Sequence, residues 1–433
     1  MNSKEYLQGD EKKKFYILAL TFLFLIGVYW LLRSVKDGIL ASTVGLSYQP
    51  VAKMASLCFL VPLILLYSKL VDVFKKHLLF YFIGGFYALL FLVIGYLLST
   101  PGVGLENTTQ SPDRLIGWVS YLGIESFGSL MVALFWSFVA SSTSPESAKL
   151  GYPTIITGAQ FGSISGPYLV TKSESLGIPN LMYISFSWIM FIILLIAIYV
   201  RVIPKHLTGL DDNKGDSENK KSTGMLEGIR LLFKYKYIAG IFCVATFYEV
   251  VGTILDFQMK VLARQVYTTP ESFSTFMANF GMGCNLATMA ISLIGTSFIM
   301  RKWGLTVCIT LFPITVGAVV TFVYFSPSKE VFFAAMIVIK CFTYALNNPA
   351  KEIMYIPTSK DIKFKTKGWI DMFGSRSMKA LGSLVNNTFK ESTQMLLTYG
   401  TIMSLGVVFI WIFVAAYVGR TFETLTKENK ILS

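Results

Sequence analysis

The chain has 433 residues, of which 54% are hydrophobic and only 15% charged, and it carries a formal net charge of +13 at pH 7. Soluble domains are roughly 25% charged, so this composition excludes an ordinary water-soluble protein, and the basic excess does not point to nucleic acid. Five cysteines without close pairs and two histidines beside basic loops give neither a disulfide framework nor metal-ligand spacing.

About 20 consecutive apolar residues cross a bilayer. On that criterion the sequence predicts an all-α integral membrane protein of about twelve transmembrane helices. They fall at 15–36, 50–71, 78–98, 115–141, 150–171, 181–200, 237–258, 273–299, 303–325, 330–348, 369–389 and 399–419. The first follows a charged N-terminal stretch and is too long for a signal-peptide core. Arg33 and Lys36 stand where a small-residue cleavage site belongs, so it reads as a membrane helix. The eleventh is the least apolar, holding Asp371, Arg376, Lys379 and two asparagines.

Arg201 to Lys221 is the most polar stretch and reads as a flexible cytoplasmic linker. The expected organisation is an N-terminal six-helix half (1–200), a linker (201–236) and a C-terminal six-helix half (237–433). Placing both termini inside puts roughly two-thirds of the 38 Lys and Arg on the cytoplasmic side, as the positive-inside rule requires. This layout resembles the major facilitator architecture, in which substrate sites lie between two repeats near the midplane. In that arrangement helices 1, 4, 7 and 10 line the cavity, and 2, 5, 8 and 11 border it.

A charge near the bilayer centre costs several kcal/mol, so charges kept there are functional candidates. The first helix ends in Arg33, Lys36 and Asp37, and the second begins near Lys53. Glu125 lies in the fourth, Glu249 and Asp256 in the seventh, Lys340 in the tenth, and Asp371, Arg376 and Lys379 in the eleventh. Glu249 and Asp256 are seven residues apart and share a helical face; Arg376 and Lys379 are neighbours three apart. Several cations with a few carboxylates suit a polyanion such as phosphate, with Arg as a fork and Lys as a mobile point charge. The bland alternatives are specific: Arg33, Lys36 and Lys53 snorkelling to an interface, Glu249 as a structural partner of Lys340, and Asp371 as an N-cap or first-turn acid. In the fifth helix, Gly158, Gly162 and Gly166 recur every four residues, which predicts a face for close helix packing. The dipeptide Gly-Lys is absent, so there is no phosphate-binding loop of the NTPase kind.

The segment Asn348-Pro349-Ala350-Lys351-Glu352-Ile353-Met354-Tyr355-Ile356-Pro357, followed by Lys363, Lys365, Lys367, Ile370-Asp371 and Lys379, resembles the nucleotide transporter family of plastids and obligate intracellular bacteria. Leu32-Arg33 with Lys36-Asp37, Lys53 with Pro62, Glu125 with Gly128-Ser129, and Ala148-Lys149 with Tyr152-Pro153 agree with it in both halves. The resemblance implies nucleotide transport, foremost ATP/ADP exchange, in a major-facilitator-like fold. It places the important charges on Lys36, Glu125, the seventh-helix acid and Lys379. Two departures stand out. Asp256 with Lys260 beyond it replaces the family's usual Glu followed by Lys, and Asn348 precedes the motif proline where an acid is usual.

The resulting substrate set is Arg33, Lys36, Lys53, Glu125, Asp256, Lys260, Arg376 and Lys379. Glu125, Glu249, Asp256 and Asp371 are the expected coupling groups. The partners are a nucleotide and the lipid bilayer of a cell inner or plasma membrane, with no cofactor, no metal and no nucleic acid, and the chain is expected to act as a monomer. Proton-driven import of nucleoside triphosphates, or of another nucleotide such as NAD, is the alternative. A membrane receptor would not need the intramembrane charges, and a membrane enzyme would need a nucleophile–base pair or metal cluster that the sequence does not offer. Tyr29, Trp30, Trp136 and Trp369 lie near the expected cavity helices and could stack a base.

Overall fold

Several helices begin where the sequence supplies caps or prolines. In the computed structural model, which describes residues 9–204, 207, 230–232, 234–294, 296–428 and 430–432, Pro50, Pro145 and Pro179 sit in the first turns of three long helices. There the missing N–H is no loss. Ser144, Ser328, Ser359 and Ser392 each accept a hydrogen bond from the backbone N–H three residues on, opening four helices.

Six long helices make up the first half of the chain: α1 (Gly9–Leu40), α2 (Gln49–Val73), α3 (Lys76–Ser99), α4 (Leu115–Ser141), α5 (Pro145–Val170) and α6 (Ile178–Val202). Then come α7 (Lys236–Val266), α8 (Pro270–Ile294), α9 (Thr296–Phe325, broken by a kink at Gly304, φ 75°) and α10 (Lys329–Phe342). The chain ends with α11 (Asn348–Met354), α12 (Lys360–Trp369), α13 (Ser375–Phe389) and α14 (Thr393–Lys427). Among the described residues, helix runs through every stretch expected from apolarity. Seven runs among them are both long and apolar enough to cross a membrane, one of them the continuous Gly9–Val71 stretch that holds α1 and α2. The protein is therefore a multi-pass membrane protein. Large apolar side chains such as Phe82, Phe86, Tyr96, Phe322, Phe409 and Phe413 stand exposed on its outer faces, where only lipid makes them favourable. Most of the expected 201–236 linker lies outside the described residues.

Two expected helices are interrupted by π-helical turns. After Phe342 the chain makes a π-helical turn, Thr343–Asn347, before α11 restarts with Pro349 in its first turn. The expected eleventh helix is preceded by α12, and a second π-helical turn, Ile370–Gly374, links α12 to α13. π-turns inside helices widen the ladder by one residue and re-aim the side chains around them. Asp371 lies inside that second turn, within a continuous helical path, so it does not cap a free helix N-terminus.

By contacts the chain forms two compact units. The first comprises Met1–Asn219 with Tyr267–Asn285, and the second Lys220–Val266 with Leu286–Ser433. In the first unit, α1 and α5 touch backbone to backbone. A Cβ on Gly158, Gly162 or Gly166 would collide with the carbonyl oxygens of Ala19, Leu23 and Gly27 respectively. The small face expected of the fifth helix is this seam. The core beside it is aromatic: Phe22 stacks on Phe135 with centroids 4.3 Å apart, and Phe127 meets Tyr87 and Phe91 edge-on. The first half of α8 belongs to this unit. Ser173 donates to the Glu271 carbonyl at 3.0 Å, and Asn285 donates to the Ser163 carbonyl at 2.9 Å.

In the second unit α7 is the central element. Asn386 of α13 donates to the Thr253 carbonyl at 3.0 Å, and Gln258 donates to the Leu396 carbonyl of α14 at 2.8 Å. Near the other end of α7, the Tyr237 hydroxyl donates to the Met354 carbonyl at 2.7 Å. A short parallel bridge, with Ser359 N–H to Leu432 O at 2.8 Å and Leu432 N–H to Pro357 O at 3.0 Å, ties the C-terminal segment to the loop before α12.

Candidate functional site

In the first unit the charges gather where α1 faces α4. Residues 29, 33 and 36 recur at helical spacing, so Tyr29, Arg33 and Lys36 share one face of α1. Lys36 is 7% exposed and its ammonium is bonded to the Glu125 carboxylate of α4. The same ammonium lies 4.6 Å from the centroid of Tyr121, one turn before Glu125, which adds a cation–π contact. Arg33 and Lys53 lie near enough to add to the electrostatic field at Glu125. Arg33 is exposed, donates to the Tyr29 hydroxyl at 2.6 Å and stacks over Trp30 at 5.1 Å. Lys36 is thus no snorkelling residue. An ammonium this deep is kept because a carboxylate and an aromatic face replace its water.

The second unit holds two ion pairs on α7. Asp256 and Lys260, one turn apart, meet at 2.7 Å, and Lys260 is almost fully buried. Glu249 lies 3.6 Å from Lys379 of α13, so the structure pairs it with the eleventh expected helix; Lys340 sits 5.5 Å over the ring of Tyr248. In these three pairs the Lys379 side chain is 45% exposed, against 8% for Lys36 and 5% for Lys260. Arg376 is half-buried on the same helix, and Asp371 is exposed in the π-turn before it.

Three contributors were not singled out from the sequence. Tyr121 and Tyr248 carry the cation–π contacts of Lys36 and Lys340, and neither is marked by anything but its place one turn or one residue from a carboxylate. Lys351, beyond the tenth expected span, is the third. Burial pushes its pKa below that of an ordinary lysine, while Glu249 and Asp371 work against that shift and Lys379 adds to it. Lys351 thus shares the electrostatic field of the Glu249–Lys379 pair. Among the described residues, no group of His, Cys, Asp and Glu has the arrangement to hold a metal ion.

Chemically these are cation-rich clusters, each carrying carboxylates as internal counter-charges, on helices apolar enough to cross a membrane. Cations held beside carboxylates are the chemistry that a polyanion requires. The sequence profile of the TLC ATP/ADP transporters matches residues 7–106, 118–339 and 331–422. The chain belongs to the TLC ATP/ADP transporter family. The plastidic ATP/ADP-transporter of Solanum tuberosum is 26% identical over 479 residues, covering 97% of this chain and 74% of that protein. ADP,ATP carrier protein 1 of Rickettsia prowazekii is 24% identical over 485 residues, covering 98% and 96%.

The TLC family fold can be compared with solved transporters. A bacterial homologue of the iron transporter ferroportin, solved in its inward-facing state, superposes with a TM-score of 0.68 at 12% identity, covering 94% of this chain and 99% of that one. The nucleoside transporter NupG gives a TM-score of 0.56 at 14% identity, covering 96% and 99%. At these identities the likeness concerns the fold, and it is the major-facilitator-like architecture expected from the sequence.

Proposed function

We propose that the protein exchanges ATP for ADP across a cell inner or plasma membrane by alternating access, with both termini in the cytoplasm and twelve membrane-spanning helices in two six-helix halves. The observation that carries the reading is the Lys36–Glu125 pair, buried on spanning helices and flanked by Arg33 and Lys53. Around Glu125 gather three cations, Arg33, Lys36 and Lys53, so the cluster without cargo keeps excess positive charge in a low-dielectric region. Moving that charge through the membrane is costly. Binding a nucleotide's phosphates removes the penalty. A carrier that crosses readily only when loaded is an exchanger, and this favours exchange over the alternative, proton-driven import of nucleoside triphosphates or of NAD. Arg33, Lys36, Lys53, Lys260, Arg376 and Lys379 are the phosphate-side cations. Glu125, Glu249, Asp256 and Asp371 hold these cations apart and take them back when cargo leaves. No covalent chemistry is required, so the protein is a carrier and not an enzyme.

Counterflow into liposomes tests this directly. Uptake of labelled ATP should require ADP or ATP inside and should persist when an uncoupler collapses the proton gradient. Uptake into empty vesicles that an uncoupler abolishes would replace exchange with proton symport.

A further inference from the structure

Tyr29 is held in place from two sides. A Cβ on Gly128 would lie 2.5 Å from its ring, so α4 needs glycine there for the ring to sit against it. From the other side Arg33 donates to the phenol oxygen at 2.6 Å. The ring is half-buried, and Trp30 meets it edge-on at 5.7 Å. The same α1 face carries Tyr29, Arg33 and Lys36, and Gly128 is three residues along α4 from Glu125, the partner of Lys36. Seven residues of helix at about 1.5 Å each separate the aromatic end from the ammonium end by roughly 10 Å. That span is comparable with the reach of an extended nucleotide from its base to its terminal phosphates. A fixed aromatic face, a guanidinium and then an ammonium, in that order along one helix, match a base, a ribose-proximal phosphate and the distal phosphates.

We infer that Tyr29, positioned by Gly128 and Arg33, is the nucleobase platform of the first unit, and that a bound nucleotide lies along α1 with its base toward Tyr29 and its phosphate chain toward Lys36. The inference rests on the nucleotide reading above and adds the orientation of the cargo and the residue that separates nucleotides from bare polyphosphate. Stacking uses the π-face that every base offers, so Tyr29 distinguishes nucleotides from inorganic phosphates without choosing strongly among purines. Arg33, exposed over Trp30 at 5.1 Å, closes the same end of the patch.

The test uses purified full-length protein and two probes, ATP and inorganic tripolyphosphate. Tyr29→Ala should weaken ATP binding about tenfold, the loss expected for one stacked base, and leave tripolyphosphate binding unchanged. Tyr29→Phe, which keeps the ring, should retain most of the ATP affinity. Gly128→Ala should follow Tyr29→Ala in direction, because its methyl group displaces the ring. Lys36→Ala should weaken both probes together. Equal losses for both probes in Tyr29→Ala, or full ATP affinity in that variant, would overturn the inference while leaving the nucleotide reading intact. A wild-type protein that binds tripolyphosphate but not ATP would overturn both.

Discussion

The Lys36 ammonium and the Glu125 carboxylate are bonded to one another across 89 positions of sequence, from α1 to α4. Neither charge would be stable alone on a spanning helix, and each explains the presence of the other. Their pairing also sets a competition: a phosphate oxygen entering the cluster offers Lys36 a second anion, and Glu125 is then free to move or to pair with Arg33 or Lys53, whose fields already reach it. On the proposed reading the pair is a stand-in for cargo.

The Glu125→Gln variant separates this role from a purely structural one. Gln keeps the size and one acceptor but removes the charge. Loss of one charge-assisted bond is worth roughly 1.5–3 kcal/mol, or about ten- to a hundredfold, and a buried ammonium left without its counter-charge adds to that. Exchange should therefore fall by at least about tenfold, with the amount of protein in the membrane unchanged. Near-normal exchange would mean that Glu125 serves packing alone.

On α7, Asp256 and Lys260 are one turn apart and meet at 2.7 Å. An acid four residues before a lysine is the favoured helical order, and Glu reaches the same ammonium as Asp does. Asp256→Glu should keep exchange within about twofold of the parent. Asp256→Asn takes a carboxylate away from a buried lysine, at a cost of about 3–5 kcal/mol. It should lower both the melting temperature in detergent and the exchange rate. A tolerated Asn together with a damaging Glu would show that geometry, and not charge, is what the position supplies.

The α1–α5 seam gives a prediction about stability. A methyl group on Gly162 would run into the Leu23 carbonyl oxygen, which is backbone and cannot step aside as a flexible side chain can. Gly162→Ala should destabilise the first unit by about 1–3 kcal/mol, as overpacking does, seen as a lower melting temperature in detergent. Gly85 of α3 has open space where its Cβ would be, so Gly85→Ala should leave that temperature unchanged or slightly raised. Equal behaviour of the two variants would mean that the helices separate freely at the seam.

Much of this architecture is legible in the sequence because lipid imposes one rule, about 20 apolar residues per crossing, and because charges inside such runs are rare enough to be conspicuous. The range 115–141 for α4 coincides with the helix itself. The rule fails where helix and apolarity part company. α1 continues through Arg33, Lys36 and Asp37 to Leu40, and α14 runs to Lys427, because backbone hydrogen bonding does not stop when side chains become polar. The π-turns at Thr343–Asn347 and Ile370–Gly374 leave no mark in hydropathy at all. For the candidate site, the charged residues stand out in the sequence, whereas the contacts they make do not. Glu249 could be matched on paper with Lys340, and the structure also brings Lys379 to 3.6 Å from it, since helix rotation decides which lysines face an acid and a hydropathy profile carries no rotation. The quiet members, Tyr121 and Gly128, have meaning only once Lys36 and Tyr29 are seen against them.

Lys379 carries the sharpest prediction. Its side chain is 45% exposed and lies 3.6 Å from Glu249, with Arg376 one turn away and Lys351 in the same electrostatic field. A triphosphate brings three or four negative charges, and stripping them of water without cations in place is prohibitive. Each charge-assisted bond contributes roughly 1.5–3 kcal/mol. Lys379→Ala should therefore weaken ATP binding by about ten- to a hundredfold, at about 1.4 kcal/mol per decade. Lys379→Arg should recover part of the loss, since the charge survives while the point-like ammonium becomes a planar fork. The loss should shrink from ATP to ADP to AMP, because fewer phosphate charges depend on the missing cation. Titration of the folded variants with the three nucleotides decides the matter. An equal loss for all three would place Lys379 away from the phosphate chain, and no loss for any would leave its ion pair with Glu249 as a fastening between α7 and α13.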